Sequence, residues 1–394
     1  MRIVINGLGI AGPALAYWLR RVGHEPTLIE KAPHLRTGGY LIDFWGLGYT
    51  IAERMGILPE VRRAGYTVHE LRLVNDRGRK AGGFRVDVFR RVTHDRYTSL
   101  PRSALSAAMY RMIEGHVETI FNDSVSAIHE RAGDVLVSFE RSPTRGFDLV
   151  IGADGLHSTV RGLVFGTQVQ FEKHLGYHVA AFEVDGYHPR DELVYVSCSR
   201  PGRQIARFAL RDNKTLFFFV FLSDRMSVAE PRDFNERKAV LHQIFDDVGW
   251  EGPQILRAMD GVDEIYFDRV SQILMDRWSK GRVILLGDAA ACVSLLAGEG
   301  AGLAMTEAYV LAGEMSRTGN DYGEAFRRYE ARMRSFIESK QKSARGFAGI
   351  FAPKTEVGIW LRNQVSKLFA IRPIANFFFR RSVLDDFDLP DYQM

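Results

Sequence analysis

Short uninterrupted apolar runs alternate with segments of helical spacing in the first part of the chain. Residues 2–6 read as a buried strand, residues 13–19 as an apolar helix ending near Gly23, and residues 26–29 as a second strand. Leu47, Ala52, Ile51 and Met55 fit one helical face between Gly46 and Gly56. Residues 68–74 alternate as a strand, turn at Asn75-Asp76-Arg77-Gly78 and return as a strand through residues 84–88. Leu100-Pro101-Arg102-Ser103 leads into a helix over 104–113 that Ser103 is expected to cap. Short strands follow at 117–121, 125–129 and 135–139, and residues 147–151 run into Gly152-Ala153-Asp154-Gly155.

The pattern then changes. Strands at 178–184, 193–198, 204–210, 215–221 and 262–274 succeed one another with one helix, near 234–248, among them. Strands without crossover helices argue an antiparallel sheet in a separate lobe, with Phe217, Phe218, Phe219 and Phe221 as its core. Residues 283–286 form another buried strand, followed by a glycine-rich turn and a helix over 303–315, so the chain returns to its first unit after the β lobe. In the tail, residues 357–361 with Val365, Leu368 and Phe369 form a helical apolar stripe that must be buried, and Pro373 opens a further helix with Ile374, Phe377, Phe378 and Phe379. Arg362, Lys367, Arg372, Arg380 and Arg381 are interspersed, but Asp385-Asp386-Phe387-Asp388 would be repelled by anionic lipid, so docking on its own protein is favoured over a membrane.

The turn after the first strand carries the first candidate chemistry. Gly7-Leu8-Gly9-Ile10-Ala11-Gly12 matches G-x-G-x-x-G: Gly7 allows the tight turn, Gly9 lets a pyrophosphate reach the backbone, and Gly12 lets the helix pack closely. The helix start offers free N–H groups and a positive dipole end to phosphates. Glu30 ends the second strand, where a carboxylate accepts both ribose hydroxyls of an adenosine. Arg36 and Asp43 are loop residues that either touch a cofactor or are simply solvated. Arg102 sits at a helix start, where an anionic ligand would offset an unfavourable dipole. Asp154 and Arg161 are candidates for ligand contact or for an internal ion pair. Asp288 is placed to accept hydrogen bonds from a polyol chain, and the helix start after Leu296-Ala297-Gly298-Glu299-Gly300-Ala301-Gly302 offers donors to a developing anion.

Composition narrows the classes. Over 394 residues the formal charge is only +4 and the basic pairs are scattered, so no nucleic-acid footprint stands out. The two cysteines, Cys198 and Cys292, do not make a disulfide framework and fit a reducing cytoplasm. The apolar start lacks a basic region ahead of an unbroken core, so no signal peptide is expected, and the stretch 283–305 is too polar and glycine-rich for a membrane span. His174 and His178 lie in expected strands without H-E-x-x-H, so no metal is expected.

Three separated elements, Gly7-x-Gly9-x-x-Gly12 with Glu30, Gly152-Ala153-Asp154-Gly155-x-x-Ser158-x-Val160-Arg161 and Gly287-Asp288-Ala289-Ala290, together resemble the FAD-dependent aromatic hydroxylases, the group A flavoprotein monooxygenases. The resemblance covers residues 1–345 and implies an α/β fold: a discontinuous Rossmann-type FAD-binding domain (1–70, 100–170 and 278–345), an inserted mostly antiparallel β substrate domain (71–99 and 171–277) and a C-terminal helical segment (346–394). It implies noncovalent FAD held by Gly7, Gly9, Ala11, Gly12, Glu30, Lys31, Arg102, Asp154, Asp288, Gly298, Gly300 and Ala301. Glu30 would serve the ribose, Arg102 the phosphate and ribityl region, Asp154 the region shared with a passing NADPH, and Asp288 the ribityl hydroxyls. Leu296, Ala297, Gly298 and Gly300 would lie along the isoalloxazine ring.

The family reaction implied is reduction of FAD by NADPH or NADH, addition of dioxygen at flavin carbon 4a, and transfer of one oxygen from the hydroperoxide to an aromatic or polyketide-like small molecule. The chemistry belongs to the cofactor, which accounts for the lack of any other catalytic constellation. A cytoplasmic monomer or homodimer is expected. Many family members carry His-x-x-Pro-Pro where this chain has Ala291-Cys292-Val293-Ser294-Leu295-Leu296, so the substrate does not carry over. A flavin oxidase or dehydrogenase releasing peroxide, and a redox-silent FAD-containing isomerase or cyclase, are the alternative readings.

Overall fold

The computed structural model describes residues 1–36, 40–227, 230–346, 348–371, 373–375 and 385–394. A six-stranded sheet has the order β17 (Ser279–Lys280), β18 (Val283–Leu285), β11 (Leu149–Gly152), β1 (Arg2–Asn6), β2 (Glu25–Glu30) and β7 (Glu118–Phe121). All its pairs are parallel except β17–β18. Ile3, Val4, Ile5, Leu149, Val150 and Ile151 are fully buried, as parallel strands covered on both faces require. Helices α1 (Ala11–Arg21), α5 (Arg102–Arg111) and α10 (Gly300–Thr318) pack together on this sheet, with α11 (Tyr322–Ala344) along α10. Helices α2 (Gly46–Arg54) and α3 (Leu58–Ala64) extend the layer. Gly48 approaches Gly302 of α10 so closely that a Cβ there would lie 2.5 Å from its Cα. Short helices α6 (Thr159–Val164) and α9 (Asp288–Ala291) follow β11 and β18. Beside the main sheet stands an antiparallel one of β8 (Val125–Glu130), β9 (Val135–Phe139) and β10 (Arg145–Phe147).

A seven-stranded sheet has the order β16 (Tyr266–Ile273), β12 (Glu172–Asp185), β15 (Lys214–Leu222), β14 (Arg203–Ala209), β13 (Val194–Arg200), β4 (Glu70–Val74) and β5 (Lys80–Arg85). Only β13–β4 is parallel. Phe217, Phe219 and Phe221 point to one face, where helices α7 (Phe234–Phe245) and α8 (Gly252–Asp260) cover them, while Phe218 alternates to the other with Phe208 and Leu216. Between the sheets lies the antiparallel pair β3 (Leu41–Trp45) and β6 (Tyr97–Pro101).

Two local expectations are corrected. The strand returning through 84–88 ends at Arg85, and α4 (Asp87–Val92) follows, because Val88 and Val92 lie one helical turn apart and are both buried. The helix expected over 104–113 begins at Arg102, and Ser103 does not cap it. Pro101 occupies the cap position, and the Arg102 N–H donates to the Tyr40 carbonyl at 3.2 Å, so strand pairing replaces the side-chain cap.

The tail docks in two places. After α12 (Ala348–Phe351), helix α13 (Glu356–Leu368) lies on β5, where Ser366 Oγ accepts from the Gly83 N–H at 2.8 Å and Arg362 donates to Ser199 Oγ at 3.0 Å. Its contact face is Ile359, Asn363 and Ser366, admitted by the absence of a side chain at Gly82. Of the expected stripe, Ile359 is buried, whereas Val357 and Trp360 stay 74% and 62% exposed, which corrects that expectation. Arg372, Phe377, Phe378, Phe379, Arg380 and Arg381 lie outside the described residues. Residues 385–394 return to the first unit: Asp385 accepts from the Leu47 N–H at 2.9 Å and pairs with Lys340 at 2.8 Å, and Tyr392 is buried on Gly313 of α10. No helix among the described residues is long and apolar enough to cross a membrane.

Candidate functional site

The parallel sheet places three loops at the carboxyl ends of β1, β11 and β18, the edge where open α/β sheets bind ligands. In the first, Gly7 has φ +112°, and a Cβ on it would lie 2.4 Å from the Ala153 carbonyl oxygen. A Cβ on Gly12 would lie 1.9 Å from the Gly7 oxygen, so both glycines are dictated by backbone packing. Gly9 has open space beside it, with only the Arg102 guanidinium near, 3.1 Å from where a Cβ would stand. Ser106 of α5 fixes the loop by donating to the Leu8 and Gly9 carbonyls at 3.1 and 2.7 Å. Glu30 braces it from the other side, accepting from the N–H groups of Leu8 and Ala32, both at 2.9 Å. Arg102 has no ion-pair partner among the described residues, although its guanidinium hangs over backbone suited to anions.

The second loop is an internal brace. Asp154 accepts from Asn6 Nδ2 at 2.9 Å, Ser158 Oγ at 2.5 Å and the N–H groups of Thr159 and Val160 at 2.8 and 3.1 Å. Arg161 does not pair with it. That fully buried guanidinium donates to the carbonyls of Leu156 and Ala289 at 2.6 and 2.9 Å, tying the second loop to the third, and burial draws its pKa down. In the third loop, Glu307 accepts from the Gly287 N–H and from Tyr329 Oη, both at 2.8 Å, and burial pushes its carboxyl up to about 7. Ala11 packs on the same turn, since a Cβ on Gly287 would lie 3.3 Å from its own. Burial pushes the Asp288 carboxyl up, opposed by the nearby Arg102 charge.

Beyond Asp288 the backbone is strained. Ser294 has φ +152°, and its buried hydroxyl has no hydrogen-bond partner among the described residues. Gly298 has φ +73°, a conformation glycine adopts freely, and α10 starts at Gly300 with Asp288 Oδ1 3.7 Å from where a Cβ would stand. Leu296 is buried on Tyr177, Val179 and Val220, joining this loop to the β lobe.

All three loops open on one cleft of about 2180 Å³ that continues under the seven-stranded sheet. Of the residues singled out for cofactor binding, Gly7, Gly9, Ala11, Glu30, Lys31, Arg102, Asp154, Asp288, Leu296, Ala297, Gly298, Gly300 and Ala301 line it, and Gly12 instead packs behind it. Its inner part is aromatic. The rings of Tyr40 and Tyr266 meet at a tilt with centroids 5.2 Å apart, and Tyr195, Phe208 and Phe218 face them from the sheet. Asp43 projects into this part, and Arg36 lies at the rim, 3.8 Å from Glu30. Sequence reasoning missed Ser106, Tyr40, Tyr97 and Glu307, because each acts across a long sequence separation and none belongs to a repeating pattern. Among the described residues no group of three or more His, Cys, Asp or Glu side chains gathers for a metal, and His174 and His178 share Ser223 instead.

A family model described as "FAD binding domain" matches residues 1–337. An uncharacterized protein of Mycobacterium tuberculosis is 38% identical over 345 residues, covering 86% of this chain and 91% of its own. A flavin-dependent monooxygenase of Legionella longbeachae is 33% identical over 395 residues, covering 95% of this chain and 96% of its own. The crystal structure of tetracycline destructase Tet(51) superposes with a TM-score of 0.83 at 31% identity, covering 99% of both chains.

Proposed function

We propose that this chain, which belongs to the FAD-binding domain family and is an FAD-dependent monooxygenase, consumes NADPH or NADH to insert one oxygen atom of dioxygen into an aromatic or polyketide-like small molecule. The carrying observation is a single cleft that joins the unpaired Arg102 over the glycine loop to an aromatic chamber under the β sheet. The likeness to a tetracycline destructase supports the size and kind of substrate.

The residues fit FAD. The open face of Gly9, the free guanidinium of Arg102 and the N–H groups at the start of α1 suit its pyrophosphate, Glu30 its ribose hydroxyls and Asp288 its ribityl chain. The orphan Ser294 hydroxyl and the unpaired N–H groups at Gly300 and Ala301 remain for the ring end. When bound, FAD supplies the reducible ring on which dioxygen is activated. The positive end of α10 would favour negative charge on that ring. Tyr40, Tyr266, Phe208 and Phe218 keep water from the chamber. Asp154, its oxygens already engaged, positions the second loop. Residues 71–99 and 171–277 form the substrate side, α13 braces it, and the two buried free thiols, Cys198 and Cys292, suit a cytoplasmic protein.

The test is NAD(P)H oxidation and product mass with isotopically heavy dioxygen over a panel of phenols and polyketides. We expect NAD(P)H consumption that rises with substrate and a product heavier by one labelled oxygen. Peroxide in full stoichiometry with NAD(P)H for every compound would move the assignment to an oxidase. Glu30→Ala is expected to weaken FAD by roughly 1–3 kcal/mol, the range for losing charge-assisted hydrogen bonds, read by flavin fluorescence titration. Unchanged affinity would remove Glu30 from the site.

A further inference from the structure

We propose that Asp43 is the recognition point for a protonated amino group on the substrate. The proposal rests on the monooxygenase reading above and adds to it a chemical feature of the substrate. Along β3, Ile42 and Phe44 are buried in the core of the first unit, so Leu41, Asp43 and Trp45 point the other way, towards the chamber. On β6, Thr98, Ser99 and Leu100 are all buried, Tyr97 and Ser99 border the cleft, and Asp43 stands directly opposite Ser99.

The acid is therefore held by its neighbours. Asp43 Oδ1 accepts from Tyr97 Oη at 2.7 Å and from Ser99 Oγ at 2.5 Å, while the two hydroxyls lie 2.9 Å apart. Both donors converge on one oxygen, and Oδ2 has no hydrogen-bond partner among the described residues. The side chain is exposed to the cleft.

Among the described residues Asp43 has no counter-charge. Asp43 makes no ion pair within 4.0 Å among the described residues, and three cations that line the cleft stand elsewhere. Lys214 is 3.8 Å from Glu183, Lys340 lies between Glu299 and Asp385, and Arg102 sits over the glycine loop. The surroundings are aromatic: Trp45 and Phe89 meet edge to face at 5.5 Å, Phe89 and Tyr97 at 4.6 Å, and Tyr195 faces them from the β sheet. Burial and the Asp43 charge raise the Tyr97 and Tyr195 phenols, which therefore stay protonated and add no negative charge. A carboxylate with one free oxygen, set among ring faces, is complementary to an ammonium group, which the acid pairs and the rings attract. A neutral substrate would leave the anion facing an apolar surface without compensation.

The experiment uses the FAD-loaded protein and a matched pair of probes: 2-naphthol carrying an aminomethyl group, and its uncharged ethyl twin of the same shape. Binding is read from the perturbation of the flavin absorbance. A charge-assisted hydrogen bond predicts an amine preference of roughly 10- to 100-fold. Asp43→Asn should shrink it to about twofold or less while FAD affinity stays put, and Tyr97→Phe should reduce it partly. Equal binding of the twins, no binding of the amine, or a preference that survives Asp43→Asn overturns the proposal, and the first two readings need no variant to fold. If the amine binds preferentially but no oxygen is inserted, the monooxygenase reading falls and the Asp43 assignment stands. If the ethyl twin is bound as well and is oxygenated, the reverse holds.

Discussion

Gly7→Ala is expected to yield a protein that purifies without flavin and unfolds at a much lower temperature than the parent. Two costs add at this residue. Its φ of +112° is one that an L side chain adopts only under strain, roughly 1–3 kcal/mol. Its Cβ would stand 2.4, 2.7 and 2.8 Å from Ala153 O, Ala153 C and Asp154 Cα, all backbone atoms of the neighbouring parallel strand's loop. Overpacking of that kind costs roughly 1–3 kcal/mol, and no flexible side chain is available to move aside. Relief can come only from separating the first loop from the second, which also displaces the Asn6 to Asp154 hydrogen bond at 2.9 Å. The measurement is flavin content together with the thermal midpoint. A yellow Gly7→Ala protein with the parental midpoint would mean that the two loops do not meet as described. Gly23→Ala is the control, because it shares a positive φ, +82°, but nothing lies within 4 Å of its Cβ.

Deleting residues 385–394 is expected to cost roughly 3–5 kcal/mol, the range for removing a large buried aromatic from a core. Tyr392 fills the space left by Gly313 on α10, and its hydroxyl donates to Glu314 Oε1 at 2.6 Å. Without it, the buried Glu314 keeps only Arg332, at 3.1 Å. The same deletion takes Phe387 from Phe336, their rings 4.9 Å apart, and Asp385 from Lys340. Since α10 also supplies the Gly300 end of the cleft, flavin affinity should fall with stability. Urea midpoints of the parent, the deletion and Tyr392→Phe separate packing from the hydroxyl. A deletion that leaves the midpoint unchanged would show that these contacts contribute nothing to folding in solution.

The parts of this molecule legible in its sequence are those whose cause is local. A strand, a glycine turn, a helix and an acid follow one another between Arg2 and Glu30, and the buried run before Gly287 signals the return to the same sheet. The three loops meet because parallel strands end at one edge, so a pattern of local elements placed most of the lining of one cleft. What escaped depends on distant partners. Residues 86–88 read as strand, and the burial of Val88 and Val92 one helical turn apart places them at a helix start instead. Asp154 and Arg161 are open in the sequence between ligand contact and an internal ion pair, and the structure instead has Asp154 accepting from Asn6, Ser158 and two backbone N–H groups while Arg161 donates to two carbonyls. Asp43 reads as a loop residue, and its place on a strand with Ser99 opposite it and Tyr97 bonded to it appears only in the structure. The tail's stripe was overread because Gly82 lets small and polar residues make the contact that Trp360 and Val357 were expected to make.

The pairing of β11 with β18 joins Val150 to Val283, with most of the β lobe between them in the chain. A ribosome adds roughly 5–20 residues each second, so on the order of ten seconds separates the appearance of the two partners. During that interval β11 presents an open edge of N–H and C=O groups to anything nearby, the usual start of unwanted strand pairing. The nascent chain thus carries a fully made glycine loop on an unfinished sheet. Slower growth and early chaperone contact should raise the yield of active enzyme more than extra flavin in the medium, because the bottleneck is the order in which the sheet is delivered.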